Sequence, residues 1–383
     1  MENADALVSL LAANAAKVDA EAEFPVENLN ALRESGYLGL LVPTDYGGMG
    51  GGLDDMVEVA RSLATGCLST AMIWAMHCQQ TDVLVRHADA GLCAELLPRV
   101  AAGEVYLASV TTDANKGGHL LAAQDSLAHR GELLTLQRDA PVVTGGVHAD
   151  GFLITMRAHQ EAREHEVTLV YANRQDLSVQ QTHEWRTLGM RGTHSVGLRL
   201  SGQVPAHHVV GESGRFREVA ADSMVPIGHL GWSACWLGAA QGAFTRLVRK
   251  LAASAHKGGT DLSSPLVQER VARIRLDLEL VSAYLSKVRE EVSTLREGGQ
   301  RLDAPSVQIH LNTLKLAASE LTFQAADRMV QLAGLSTGYS GDSPIPLERV
   351  FRDLRSAALN YANDRLLTAN GALSMLDRAV TLV

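Results

Sequence analysis

Two kinds of hydrophobic pattern alternate along the chain. In residues 3–23 and 53–87, and again beyond residue 213, apolar side chains recur at the three- and four-residue spacing of amphipathic helices. Between residues 104 and 210, short β-rich runs alternate with Gly, Asn and Asp, which is typical of strands joined by turns. We therefore expect an α+β protein in which two helical domains flank a β domain. The expected domain boundaries are 1–103, 104–212 and 213–383.

Helical spacing in the C-terminal part covers four segments, at residues 224–251, 262–296, 305–333 and 347–370. Antiparallel packing of their apolar stripes predicts a four-helix bundle. In the N-terminal part, residues 68–76 are apolar on every face, which predicts a helix buried in the centre of the protein.

Two loops of the β domain carry residue types that could bind a planar cofactor. The first follows a predicted strand that ends at 109–112, and the second covers residues 185–195. Hydroxyl and backbone N–H groups at a strand end can form hydrogen bonds with the carbonyl edge of a flavin ring. The same residue types also form ordinary turns, so both interpretations stay open. Residues 142–146 and 152–156 are predicted to be a pair of strands.

Composition narrows the function classes. Hydrophobic residues make up 46% and charged residues 20% of the 383 positions, as expected for a globular protein. The net charge of −9 argues against nucleic-acid binding, because there is no excess of cations to neutralise phosphates. We expect neither a membrane span nor a signal peptide. The four cysteines show no metal-site spacing, so we expect no metal, and a reducing, cytoplasmic setting is the default expectation.

Four short motifs follow one another in a characteristic order. They are Val110-Thr111-Thr112-Asp113 with Gly117 beyond it, Leu188-Gly189-Met190-Arg191-Gly192-Thr193, Gln331 to Gly334 with Gly338, and Pro346 to Asp353 with Arg349 and Arg352. The ordered set resembles the acyl-CoA dehydrogenase family over nearly the whole chain. This resemblance implies an acyl-CoA dehydrogenase-like fold with an N-terminal α-helical domain, a middle β-barrel-like domain and a C-terminal four-helix bundle.

The resemblance also implies a flavin, with FAD as the expected form and a homotetramer or homodimer as the assembly. Thr111 would bind the pyrimidine edge of the ring, and Thr193 with the Trp185 loop would lie near its other side. A loop of a neighbouring subunit, from Gln331 to Gly338, would contact the adenosine-diphosphate part. The implied cofactor-binding residues are Ser109, Thr111, Gly117, Trp185, Thr193, Gln331, Gly334 and Gly338.

The chain departs from the family at the catalytic base. Dehydrogenases need a carboxylate that removes the α-proton of the thioester, and in much of the family it is a Glu after a Tyr. Here Tyr361 or Ala362 stands in that place, and Asp364 is the nearest carboxylate. Some relatives place the Glu on the first C-terminal helix, where this chain has His229. We therefore name His229, Asp364 and Tyr361 as catalytic candidates, although His229 could instead be a packed core residue and Asp364 a surface residue.

A second departure from the family concerns the residues that bind the flavin pyrophosphate. Family members usually have an Arg followed by Phe-Gly that reaches the flavin pyrophosphate, whereas residues 256–265 lack both. His256 or Lys257 could supply a charge instead. We therefore keep two alternatives to tightly bound FAD, namely FMN and a reduced flavin that exchanges.

Three hypotheses follow from these departures. The first is a flavin-dependent oxygenase, related to the monooxygenases of this fold, that uses O₂ on an acyl thioester carried by CoA or a carrier protein in secondary metabolism. The second is an acyl-CoA dehydrogenase with a non-standard base. The third is a flavin-free structural or binding homologue. A flavin reductase or an electron-transfer flavoprotein is the expected redox partner.

Overall fold

Residues 2–113, 119–256 and 260–383 are described by the computed structural model, and the chain begins with a helical block. Its helices are α1 (Glu2–Glu21), α2 (Val26–Glu34), α3 (Leu53–Gly66), α4 (Leu68–His87) and α5 (Ala90–Ala101). The pattern had predicted nearly continuous helix over residues 53–87. The structure breaks it at Cys67, whose extended backbone turns the chain from α3 into α4. The predicted burial of residues 68–76 is confirmed, except that Met76 is only partly buried.

The middle part of the chain forms two four-stranded sheets. The strands are β1 (Leu107–Val110), β2 (Ala128–Arg130), β3 (Leu133–Val143), β4 (Gly151–Arg157), β5 (Val167–Asn173), β6 (Leu177–His183), β7 (Val196–Pro205) and β8 (Val209–Val210). Their orders are β1-β4-β5-β8 and β2-β3-β7-β6. Within the described residues neither sheet closes on itself, so the expected barrel-like domain is an open pair of sheets.

The predicted pairing of residues 142–146 with 152–156 is wrong. β4 pairs in parallel with β1, with Leu107 opposite Gly151. β3 belongs to the other sheet and pairs antiparallel with β7, with Leu134 opposite Val204. β3 and β4 follow each other along the chain but lie in different sheets, because each pairs with a strand farther away in the sequence.

Helices resume after the sheets. They are α6 (Phe216–Val219), α7 (Val225–His256), α8 (Pro265–Glu297), α9 (Pro305–Gly334), α10 (Leu347–Arg355) and α11 (Asn363–Ser374). α7 packs against α3, α4, α8 and α9, and α9 also packs against α8, α10 and α11. Close approach of α7 to α3 requires Gly238, where a Cβ atom would lie 2.1 Å from the carbonyl oxygen of Arg61. This arrangement confirms the predicted C-terminal bundle.

The fourth predicted helix of the bundle is interrupted. Residues 356–362 form turns between α10 and α11, and Tyr361 has a φ of 53° there. The carbonyl oxygens of Ala357 and Tyr361 accept hydrogen bonds from Lys315 Nζ at 3.0 and 3.1 Å. Carbonyls that point towards Lys315 are not available to continue the helix, which explains the break. None of the helices in the described part of the chain combines the length and apolar character needed to cross a bilayer.

Candidate active site

A cleft of about 570 Å³ opens between the sheets and the helices α4, α7 and α10. Its volume lies within the range of about 300–1,000 Å³ that small-molecule sites occupy. The cleft has two unlike sides. The hydroxyl side, from the sheets and their loops, comprises Ser109, Thr111, Thr144, Thr193 and Ser195. The aromatic side, from the helices and the turn after α10, comprises Met72, Met76, Trp232, Trp236 and Tyr361.

Three residues of the hydroxyl side form a directed chain of hydrogen bonds. Thr193 Oγ1 donates to the carbonyl oxygen of Met190 at 2.8 Å. Ser195 Oγ lies 2.8 Å from Thr193 Oγ1 and 2.9 Å from Thr144 Oγ1. Each hydroxyl has one hydrogen, so Ser195 donates to Thr193 and Thr144 donates to Ser195. The hydrogens of these three hydroxyl groups are therefore used within the protein, and only oxygen lone pairs are left to accept hydrogen bonds in the cleft.

Ser109 and Thr111 complete the hydroxyl side. They lie at the end of β1, and their hydroxyls have no hydrogen-bond partner among the described residues. The strand end is fixed by its neighbours, because Thr112 Oγ1 donates to the Val142 carbonyl at 2.8 Å and Arg138 binds Asp113 at 2.8 Å. Two free hydroxyls on a fixed strand end are well placed to donate to a ligand.

The second predicted cofactor loop is anchored to α10. Trp185 Nε1 donates to the Met190 carbonyl at 2.9 Å, and the Met190 backbone N–H donates to Asp353 at 2.6 Å. Arg352 Nη1 donates to the Leu188 carbonyl at 3.0 Å. A Cβ atom on Gly189 would lie 2.1 Å from the Arg352 carbonyl oxygen, so only glycine allows this contact. Two motifs that are far apart in the sequence thus form one clamp.

The charges of the clamp are largely satisfied within the protein. Arg352 pairs with Asp19 at 2.6 Å and with Glu348 at 2.7 Å, and the hydrogen bond to Asp19 raises its pKa. Burial raises the pKa of Asp353 to about 7. Arg352 therefore serves the loop, although it also lines the cleft.

His229 lies on the aromatic side and is 1% exposed. Its Nδ1 atom is 3.1 Å from the carbonyl oxygen of Leu311. A carbonyl can only accept, so Nδ1 carries the hydrogen and Nε2 is the atom with a lone pair. Burial, followed by the nearby charge of Lys315, lowers the pKa of His229 to about 3. With this pKa His229 is neutral at ordinary pH and is a weak base, and its catalytic role stays a prediction.

Tyr361 and Lys315 complete this region. Burial raises the pKa of Tyr361, so its phenol is neutral at ordinary pH. Lys315 is fully buried, and burial lowers its pKa to about 8. Besides the two turn carbonyls, Lys315 donates to Asn363 Oδ1 at 2.7 Å. Lys315 therefore holds the turn that brings Tyr361 into the cleft.

The remaining predicted residues lie elsewhere. Asp364 is exposed at the start of α11 and does not line the cleft. Gln331, Gly334 and Gly338 lie at the C-terminal end of α9 and in the turn that follows it, and they are not among the residues that line this cleft. Gly117 falls outside the described residues. The roles predicted for these residues stay predictions.

Comparison with known proteins places the chain in a family. The N-terminal domain model of acyl-CoA dehydrogenases matches residues 4–104 and the C-terminal domain model matches residues 220–360, together more than half of the chain. The chain belongs to the acyl-CoA dehydrogenase family. It is thus an oxidoreductase of a flavin-dependent family.

Individual members of the family are distant relatives. Isobutyryl-CoA dehydrogenase of Dictyostelium discoideum is 23% identical over 92% of this chain and 82% of its own length. Among solved structures, FMN-bound TdsC from Paenibacillus sp. A11-2 has a TM-score of 0.88 at 19% identity and covers 98% of this chain and 97% of its own. Butyryl-CoA dehydrogenase from Megasphaera elsdenii has a TM-score of 0.85 at 18% identity, over 98% and 96% of the two chains. At this identity the structures show a shared fold.

The family implies a flavin, and the cleft fits the ring of one. Two free hydroxyl donors at Ser109 and Thr111, with the acceptor row of Thr144, Thr193 and Ser195, match a ring whose edges carry both carbonyl and N–H groups. Trp185 adds a flat side chain at the same end. The hydroxyl side would hold the ring, and the aromatic side would then be free for substrate.

The cleft of this family member differs in its titratable groups from the site that the family resemblance implies. No Asp or Glu is among the described residues that line the cleft. The positions outside the described ranges contain no Asp or Glu either. The departure seen in the sequence at residues 361–362 is therefore not compensated by a carboxylate from another element of the described chain.

Several residues of the site were not predicted from the sequence, namely Trp232, Trp236, Thr144 and Ser195, which line the cleft, and Lys315, which lies beside Trp236. His229, Trp232 and Trp236 are three and four residues apart, which places them on one face of α7, and this spacing could have identified the aromatic side. Lys315 interrupts an apolar stripe between Leu311 and Ala318, which could have marked it as a buried cation. Thr144 and Ser195 carry no comparable signal, because isolated hydroxyl residues are common in turns.

Proposed function

We propose that this protein is a flavin-dependent oxygenase that uses O₂ to oxidise an acyl thioester. The observation that carries the proposal is the lack of a carboxylate among the described residues that line the cleft. α,β-Desaturation needs a base within hydrogen-bond reach of the α-carbon. A reaction of reduced flavin with O₂ has no such requirement.

The titratable groups that do line the cleft are poor substitutes for the base. His229 has a pKa of about 3, so it holds a proton too weakly to drive abstraction at neutral pH. Tyr361 is a neutral phenol whose pKa is raised by burial. Arg352 is paired with two carboxylates, and Arg355 is a permanent cation. Dehydrogenation with a non-standard base therefore remains the second function to test.

A bound flavin supplies two-electron redox chemistry and, when reduced, the activation of O₂. This chain's own residues would bind and orient. The hydroxyl side holds the ring edges, the clamp at Gly189 fixes the loop that carries Thr193, and the apolar helices exclude water from the substrate. We propose FAD as the cofactor, with FMN as the alternative that the FMN-bound state of TdsC supports.

Thioester substrates are supported by the names of the relatives, which include acyl-CoA dehydrogenases. We also propose that the turn after α9 contacts the cofactor of a neighbouring subunit in a homodimer or homotetramer. Leu335 and Tyr339 in this turn are 81% and 72% exposed, so a partner can reach it. CoA and a carrier protein are both proposed as thioester carriers.

Deuterium exchange at the substrate α-carbon tests the proposal. Flavin-loaded protein is incubated with a saturated acyl thioester in D₂O without oxygen, and the thioester is analysed by mass spectrometry. We expect no deuterium above the rate without protein, because no base reaches the α-carbon. Enzyme-dependent exchange that disappears in His229→Asn would establish a dehydrogenase instead. Purified protein that binds no FAD or FMN would favour the flavin-free homologue.

A further inference from the structure

Among the described residues, rings and thioethers line the aromatic side of the cleft around a single histidine, His229. We propose that the substrate group seated there is a flat aromatic ring that carries an O–H or N–H donor, and that His229 Nε2 accepts this hydrogen. The inference rests on the proposed function, since it assigns the acyl part of the same thioester. It concerns binding alone and adds no chemical step.

The shape of the aromatic side favours a ring over a flexible chain. Trp232 and Trp236 line it from α7, Tyr361 from the turn after α10, and Met72 and Met76 from α4. The His229 ring centre lies 5.8 Å from that of Trp232 and 6.1 Å from that of Tyr361. Aromatic rings and thioethers make favourable contacts with a further ring that packs against them.

Neighbouring groups determine which nitrogen of His229 can accept a hydrogen bond. Nδ1 of His229 is committed to the Leu311 carbonyl, which leaves Nε2 as the acceptor. Among the described residues Nε2 has no hydrogen-bond partner. Lys315 lies one helical turn beyond Leu311 on α9. Its positive charge near the His229 ring opposes protonation of His229. His229 therefore faces a ligand as an acceptor that is neutral at ordinary pH.

A ligand without a donor would bury Nε2 unpaired. Covering a polar atom in this way weakens binding, and we expect about a ten- to hundred-fold preference for the ligand that carries the donor. A cationic ligand is disfavoured as well, because Lys315 Nζ lies 5.7 Å from the centre of the Trp236 ring, behind the wall of the cleft. The best fit is a neutral ring with a hydroxyl or N–H group, such as a phenol.

The test uses three matched probes and measures binding rather than turnover. They are the N-acetylcysteamine thioesters of 4-hydroxyphenylacetic, 4-methoxyphenylacetic and cyclohexylacetic acid, titrated into flavin-loaded wild-type protein and followed by calorimetry. We expect the hydroxyphenyl probe to bind about ten-fold or more tightly than the other two. Equal affinity for the hydroxy and methoxy probes, equal affinity for the cyclohexyl probe, or no binding of any probe would overturn the proposal.

Variants assign the preference to one atom. Asn at position 229 can still donate to the Leu311 carbonyl but is too short to present an acceptor where Nε2 lies, so His229→Asn should bind the hydroxy and methoxy probes equally. His165→Asn, the same change on an exposed surface turn, should keep the wild-type preference. Retention of the preference in His229→Asn would contradict the assignment.

Nitrogen NMR of wild-type protein provides the same assignment without a variant. If His229→Asn does not fold, the ¹⁵N resonance of Nε2 in wild-type protein should shift with the hydroxy probe and not with the methoxy probe; equal shifts would overturn the proposal. Because binding is measured with oxidised flavin in air, its outcome does not depend on oxygenation. Enzyme-dependent α-carbon exchange would remove the proposed function and leave the ring preference in place.

Discussion

The clamp between the 185–195 loop and α10 makes Gly189 the most sensitive position of the site. In Gly189→Ala, the new methyl group would lie 2.1 Å from the Arg352 carbonyl oxygen, 2.2 Å from its carbonyl carbon and 2.6 Å from the Asp353 nitrogen. All three are backbone atoms of a helix, so they cannot rotate away as a side chain would. The loop must move outwards by about 1 Å to reach ordinary contact distance.

This movement breaks the two bonds that hold the loop. The Met190 N–H bond to Asp353 is 2.6 Å and the Arg352 bond to the Leu188 carbonyl is 3.0 Å, so neither survives a shift of this size. Hydrogen bonds to charged groups contribute about 1.5–3 kcal/mol each, so the loss of both should lower the free energy of unfolding by about 3–6 kcal/mol. Flavin affinity should fall as well, because Thr193 and Trp185 are carried by the same loop.

Urea unfolding measures the global loss, and hydrogen exchange of the peptide around residues 186–194 measures the local one. Gly371→Ala is the matched control. Gly371 lies within α11, and a Cβ atom there would meet no atom within 4 Å. That variant should gain about 0.5–1 kcal/mol from better helix propensity. If Gly189→Ala stays within 0.5 kcal/mol of wild type and the Met190 amide keeps its protection, the clamp does not exist as described.

Three further outcomes are expected. Lys315→Met removes the charge that disfavours protonation, so the pKa of His229 should rise above about 3 in an NMR titration; an unchanged pKa would contradict this coupling. Burial lowers the pKa values of His229 and His77 to about 3 and about 4, against about 6.5 in the unfolded chain. Because the unfolded chain takes up these protons first, their contribution to stability is complete above pH 6.5 and falls progressively as the pH drops towards 4. His229→Asn should lose less of its unfolding free energy than wild type over this range, and an equal loss would refute the assignment. Asp364→Asn should keep wild-type turnover, since Asp364 lies outside the cleft, and a loss of a hundred-fold or more would restore it as the base.

Helices with one-sided burial were predictable from the sequence. The stripe of apolar residues in residues 305–333 reports packing on one face, and α9 follows it to within one residue at its end. The break before α11 was not predictable in this way. It depends on Lys315, which is 42 and 46 residues from the carbonyls that it binds, and a local pattern carries no information about such a contact.

The motifs located the hydroxyl side, at Thr111 and Thr193, better than they located the chemistry. His229 was identified by its position on the first long C-terminal helix, but its ionisation depends on burial and on a carbonyl and a cation of α9. Likewise, the Arg352-Asp353 pair was recognised as a signature, whereas its contact with the loop at Gly189 depends on how two distant segments pack. The sequence therefore identified these residues, but their ionisation and their contacts depend on tertiary packing.

An anaerobic titration of flavin-loaded protein with saturated acyl thioesters tests the central claim most directly. The absorbance of the oxidised flavin should stay unchanged, including with 3-(4-hydroxyphenyl)propionyl thioesters, which carry a β-hydrogen, because no base in the cleft can take the α-proton. The same protein, reduced chemically and exposed to ¹⁸O₂, should place one ¹⁸O atom in the product. Bleaching of the flavin by a thioester without oxygen would show that the substrate donates hydride, and the oxygenase assignment would then be wrong.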